Sequence, residues 1–299
     1  MTRAAANTDT TTRTTGFTLI ELIVVISITG IIAAVLVVVI SGPFQGYESQ
    51  SRRAELVDAA ESALRRMQRD IRHALPNSIR IDGTGQVLEM LNTVAGGRYR
   101  HTPTTACATA NTLIFTGNDT TFDMIGTLGQ IVPAGSRIAI YNLGQPGGDA
   151  YADGAGAANP GVITPAGVAV CTPGNAPCGT NACGNDRFTI PAHRFSFQSP
   201  SQRFYVVNTP VTYLCNAGNV TRFAGYALAA AQPTVATNPP LSAATSNSLV
   251  TSHVTGCLFT YTPGTSTRAG LVTASITVRD PHSTETINLL HQIHVFNTP

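Results

Sequence analysis

Residues 17–40 read FTLIELIVVISITGIIAAVLVVVI, an apolar run interrupted by a single charge, Glu21. At about 1.5 Å of rise per helical residue the run spans roughly 36 Å, enough to cross a hydrocarbon core of about 30 Å. Residues 1–16 are polar and Thr-rich, with Arg3 and Arg13 as their basic residues. A cleavable secretory signal has a shorter apolar region and a small-residue cut site at its far end; here Ser41-Gly42-Pro43 follows the run. The positive residues precede the span, so the N-terminus is expected to stay cytoplasmic while the rest crosses outward. Arg52 and Arg53, beyond the span, weaken that asymmetry. A carboxylate inside such a helix costs about 2.5 to 3.5 kcal/mol on insertion scales, which marks Glu21 as a functional residue.

Beyond the run, Gly42-Pro43 is expected to interrupt or kink the helix, because Pro lacks an N–H and clashes with the preceding turn. Residues 48–75 then read as an amphipathic helix. Val57, Ala60, Leu64, Met67, Ile71 and Ala74 recur at spacings of three and four and form one apolar stripe. Charged residues fill most other positions, and Glu61 with Arg65 has the spacing of an ion pair. Pro76-Asn77 closes the helix. Five acids offset six arginines over 48–75, so packing of the stripe on a sheet fits better than nucleic-acid binding.

After residue 80 the period changes to two. Expected strands are 87–91, 112–115, 137–143, 187–190, 194–197, 203–208, 211–215, 254–262, 271–279 and 286–296. The Gly- and Ala-rich tract 149–165 and the low-complexity stretch 232–248 read as loops. A helix followed by antiparallel strands is an α+β pattern. The expected divisions are 1–16, the span 17–41, a helical arm 42–79 and a β-rich head 80–299.

Composition narrows the chemistry. Only 11% of residues are charged and the formal net charge is +2, too balanced for binding by phosphate neutralisation. All 18 basic residues are Arg; without Lys there is no Schiff-base or P-loop lysine. Six cysteines, Cys107, Cys171, Cys178, Cys183, Cys215 and Cys257, fit disulfides in an oxidising compartment, with fifteen possible connectivities. Cys215 and Cys257, each in an expected strand, are expected to pair. Cys171, Cys178 and Cys183 lack the close spacing of a zinc knuckle and read as a stapled loop. His291 and His294 are three apart in a strand and face opposite sides. Asp149 and Asp153 do not fit a calcium loop and read as solvated loop acids. No catalytic motif, metal site or cofactor site is expected, and the chain is read as a non-enzyme.

The residues Gly16-Phe17-Thr18-Leu19-Ile20-Glu21-Leu22 resemble the cleavage and methylation signature of type IV prepilins. The resemblance implies cutting after Gly16 by a prepilin peptidase, N-methylation of Phe17, and Glu21 as the charge partner of the new α-ammonium. It further implies a single-pass stay in the inner membrane with a periplasmic head. Partners would be the pilus assembly machinery and other pilins, in a surface filament. Further segments, Ala74–Ile79, 194–197, 211–215, 257–261, 291–295 and 297–299, are similar to minor pilins of mannose-sensitive haemagglutinin pili, which implies pilus biogenesis or adhesion. A type II secretion pseudopilin shares the same N-terminal signature. A membrane-tethered adhesin or glycan-binding module, using the long loops, is the reading from a different class.

Overall fold

The computed structural model describes residues 16–103, 110–171, 185–265 and 268–295, with side chains at all of these except 41–45. The chain divides into two compact units, Met1–Ala54 and Glu55–Pro299. Helix α1 (Leu19–Arg72) leads into β1 (Arg80–Ile81), β2 (Val87–Arg98), β3 (Asp119–Asp123), β4 (Arg137–Ala139), α2 (Ala150–Gly156), β5 (Ala169–Cys171) and β6 (Arg187–His193). Then come β7 (Arg203–Asn216), β8 (Asn219–Ala224), a 3-10 turn (Leu241–Ala243), β9 (Ser246–Thr251), β10 (Val254–Thr262), β11 (Gly270–Arg279) and β12 (Thr286–Val295). This is the α+β, pilin-like architecture: a long N-terminal helix followed by antiparallel sheet.

Among the described residues the second unit contains three sheets. The largest runs β1-β2-β7-β8-β9, with β4 also on β7; the others are β10-β11-β12 and β3-β6-β5. β7 is long enough to seat β4 along Tyr205–Val207 and β8 along Val211–Asn216. Two separate strands, 203–208 and 211–215, are expected from the sequence, yet the structure has one. Pro210 lies opposite Leu91 beside a register shift in β2, where a missing N–H is tolerated.

The helical stripe forms the floor of the main core. Ala60, Ala63, Leu64, Met67 and Ile71 are buried with Met90 and Tyr213 of the large sheet and with Val272, Ala274, Ile276 and Ile293 of the β10-β11-β12 sheet. Alternation along β11 turns Val272, Ala274, Ile276 and Val278 inward. Polar contacts lock the same seam. Arg222 Nε lies 2.6 Å from Asp70 Oδ2, and the Tyr213 hydroxyl donates to the same oxygen at 2.8 Å. A disulfide joins Cys215 of β7 to Cys257 of β10, tying the two sheets together across Cα atoms 6.3 Å apart. A second core, around Phe122, Phe188 and Phe204, lies under the β3-β6-β5 sheet.

Several sequence expectations need correction. The helix is not broken at Gly42-Pro43; α1 continues through them. One proline removes a single ladder bond, and long helical runs on both sides outweigh that loss. At the other end α1 stops at Arg72 rather than 75, because β2 captures the backbone. Leu75 N–H donates to Leu91 O and Thr93 N–H to His73 O, each at 2.8 Å. Residues 112–115 are not a strand, since Leu113 and Ile114 donate to Arg100 O and the Asp119 carboxylate. Residues 194–197 are not one either: β6 runs to His193, and Arg194 N–H then turns to Asn159 Oδ1. The strand expected at 137–143 ends at Ala139, where Ile140 N–H turns to Val162 O.

The tract 149–165 contains α2, and its acids are not solvated loop groups. Asp149 caps the helix by accepting from Tyr151 N–H, and Asp153 accepts from Val162 N–H. Strands β1, β3, β5, β8 and β9 lack a strong alternating signal in the sequence. β7 and β8 are joined by Ala217-Gly218, both at positive φ, without the Asn-Gly pair that usually marks such a turn.

If the stripe holds the helix to the sheets, Leu64→Ala should lower stability by about 2–5 kcal/mol. The exposed Ser62→Ala should stay within about 0.5 kcal/mol. Denaturant midpoints of the full chain in detergent check both.

Candidate functional site

The segment that carries the strongest sequence signal has a defined local geometry. Gly16, Phe17 and Thr18 precede α1 in non-helical backbone, and Phe17 is 84% exposed. The Gly16–Phe17 peptide bond therefore lies outside the helix, and a Cβ at Gly16 would meet nothing within 4 Å. Thr18 starts the helix. Its Oγ1 accepts from Glu21 N–H at 3.3 Å, and its carbonyl accepts from Leu22 N–H at 3.2 Å. Thr18-x-x-Glu21 is thus a capping-box spacing, with apolar Phe17 and Leu22 at the staple positions on either side. Sequence reading missed this second role, although the motif stands in the residues themselves. Glu21 sits in the first turn, where the helix dipole favours a carboxylate.

Behind this turn the helix presents an uncovered apolar surface. Leu19–Ile40 has a mean hydropathy of 3.2 over its most apolar window, none of it buried by the chain. Its 22 residues amount to about 33 Å of helix, a bilayer's hydrocarbon thickness. Ser27 satisfies its hydroxyl on Ile23 O, so it adds no free donor to that surface. Length, composition and exposure fit a membrane anchor.

Residues 12–37 match the family model described as the prokaryotic N-terminal methylation motif. The chain carries a type IV prepilin-like N-terminus. The matched interval takes in the Gly16–Phe17 bond, the Thr18 cap, Glu21 and most of the apolar helix, so the motif and the uncovered surface are one feature. Processing by a prepilin peptidase and assembly with other pilin-type subunits are what this motif supports. No curated protein and no solved structure was found to match the chain.

The other constellations are structural in their contacts. Glu89 is wholly buried; it accepts from Arg80 Nε at 2.6 Å and from the Tyr226 hydroxyl at 2.9 Å, and Arg80 also donates to Ala229 O and Ala230 O. Burial pushes the Glu89 carboxyl up, against the opposing pull of Arg80. The register aligns Arg80, Glu89 and Thr212 across β1, β2 and β7, so this cluster pins three strands and the chain after β8. Asp123 holds Arg187 in a two-point pair, at 2.6 and 3.0 Å, beneath the β3-β6 sheet. Burial lowers the His193 imidazole, whose Nε2 lies 3.1 Å from Gly161 O.

Cys171 is disulfide-bonded, while Cys107, Cys178 and Cys183 lie outside the described residues. Among the described residues no group of three His, Cys, Asp or Glu side chains could hold a metal ion. The β11–β12 register sets His291 opposite Ala274 and His294 opposite Leu271, on opposite faces.

A charge placed mid-span should hinder insertion. Ile31→Arg should cut the carbonate-resistant membrane fraction sharply, at a cost of about 2.5–3.5 kcal/mol. Gly30→Ala, whose added Cβ meets nothing within 4 Å, should leave it unchanged.

Proposed function

We propose that the protein is a minor pilin of a type IV pilus-like filament, of the mannose-sensitive haemagglutinin type, with a role in pilus biogenesis or adhesion. The observation that carries this reading is the methylation motif at residues 12–37, seated on an exposed apolar helix. In this reading residues 1–16 are a leader removed after Gly16, and Phe17 becomes the methylated N-terminus. The new α-ammonium and Glu21, four residues on, carry opposite charges in an apolar setting, where each relieves the other's burial cost. Residues 17–41 then serve as the assembly stem, 42–79 as the arm and 80–299 as the head, periplasmic before assembly and surface-exposed after it. The subunit has no catalytic role of its own; its partners are the peptidase, the inner-membrane assembly machinery and other pilins. The subtype rests on the resemblance of the helix end and the C-terminal segments, and on a head larger than a major subunit needs.

Two variants test the reading. Gly16→Val should accumulate as the longer precursor, because a branched side chain occupies the residue before the cut. Glu21→Leu should be processed normally, remain in the membrane and be lost from sheared filaments. A Glu21→Leu subunit recovered in filaments at the wild-type level would sink the charge-pair role. Appearance only in a secretion pseudopilus would replace the pilus assignment.

A further inference from the structure

Strand β12 is an outer edge of the β10-β11-β12 sheet. It pairs with β11 on one side, and among the described residues no backbone bonds to its other side. Antiparallel pairing leaves about half of its N–H and C=O groups facing outward. Its register with β11 is unbroken over all ten residues, Thr286 to Val295, so the strand carries no bulge. The sequence TINLLHQIHV holds no Pro, Lys, Arg, Asp or Glu. Bulges, prolines and charges are the devices that keep a free edge from pairing with another chain. The opposite edge of the same sheet is guarded: β10 has a register shift between Val254 and Gly256, and Phe259 N–H donates to Gly85 O.

The middle of β12 also exposes apolar surface. Leu290 is 54% exposed and Leu258 is 51% exposed. Both lie opposite Ser275 in the register, so a row Leu258–Ser275–Leu290 crosses the sheet and ends at the free edge. Asn288 and Gln292 flank Leu290 on the same face.

The order of side chains about Leu290 is self-complementary. In an antiparallel pair of β12 strands centred there, Leu290 faces Leu290, Asn288 faces Gln292 and Thr286 faces His294. On the other face Ile287 meets Ile293, and Leu289 meets His291. Such directly opposed pairs are the unit of sheet stabilisation. Centring on His291 instead would set imidazole against imidazole and Leu290 against Gln292, which loses the apolar pair.

We propose that β12 pairs antiparallel with β12 of a second copy of the chain, about a two-fold axis at Leu290. The two three-stranded sheets become one of six strands, and the leucine row runs from Leu258 of one copy to Leu258 of the other. The contact uses the same patch on both copies and closes at two chains. It stands on the sheet edge and does not depend on the filament-subunit reading. Within that reading a closed pair cannot propagate along a filament, so it belongs to the subunit held in the membrane before assembly.

The test uses the full chain in its native membrane, with single cysteines on the exposed face of β12, mild oxidation and non-reducing electrophoresis against the wild-type chain. Directly opposed residues have Cα atoms about 4.5–5.5 Å apart, within reach of a disulfide. Leu290→Cys should therefore give a linked dimer by itself. Asn288→Cys or Gln292→Cys alone should give at least about tenfold less, because the equivalent Cα atoms stand roughly 14 Å apart along the strands. Co-expressed, those two variants should link to each other. Adding Leu290→Lys to both should cut that link about tenfold, since like charges then meet at the axis. Adding Leu290→Lys to one and Leu290→Glu to the other should restore it, which also shows that the variants fold. No dimer through Leu290→Cys, equal dimer from Asn288→Cys alone, no recovery with opposite charges, or links only to a different protein would overturn the proposal.

Discussion

A 22-residue, largely apolar helical stretch that the chain leaves wholly uncovered needs an outside partner. In water that surface would carry a large unfavourable hydration free energy, so lipid or other apolar helices must cover it. Lipid demands that every backbone group be bonded within the segment, which a helix does except at its ends. Thr18 deals with the N-terminal end by capping the first turn. Glu21 is the one group that lipid alone does not accommodate, and a carboxylate in that position calls for a cation beside it. In the proposed reading, removal of residues 1–16 would create such a cation at Phe17, one turn from Glu21.

The second unit solves a different problem. The later part of the same helix has an apolar side and a charged side, and two sheets share the apolar one as their core. Asp70 fastens the helix by accepting from both Tyr213 and Arg222, while the Cys215–Cys257 disulfide joins the two sheets that flank it. The charged side is left to solvent.

Legibility differed with the kind of signal. The span, the Gly16-Phe17 junction, Glu21 and the stripe from Ala60 to Ile71 stand out because hydrophobic period and an isolated charge are local properties. Strands β10, β11 and β12 were readable for the same reason: long alternation over one buried face. The helix end at Arg72 was not, because it depends on hydrogen bonds to Leu91 and Thr93 that lie many residues away. Nor was α2, whose Gly- and Ala-rich sequence has little helical period and relies on Asp149 as a cap and Asp153 as a tie to Val162. The buried Arg80–Glu89–Tyr226 cluster escaped notice because nothing local marks an acid in a strand as buried; only the β1-β2-β7 register assembles it.

Intact N-terminal mass spectrometry of the chain from its native membrane tests the central claim most directly. The account predicts a mature protein beginning at N-methylated Phe17. A chain that retains residues 1–16 in a host with active prepilin peptidase would contradict it, leaving a β-rich head on a plain membrane anchor.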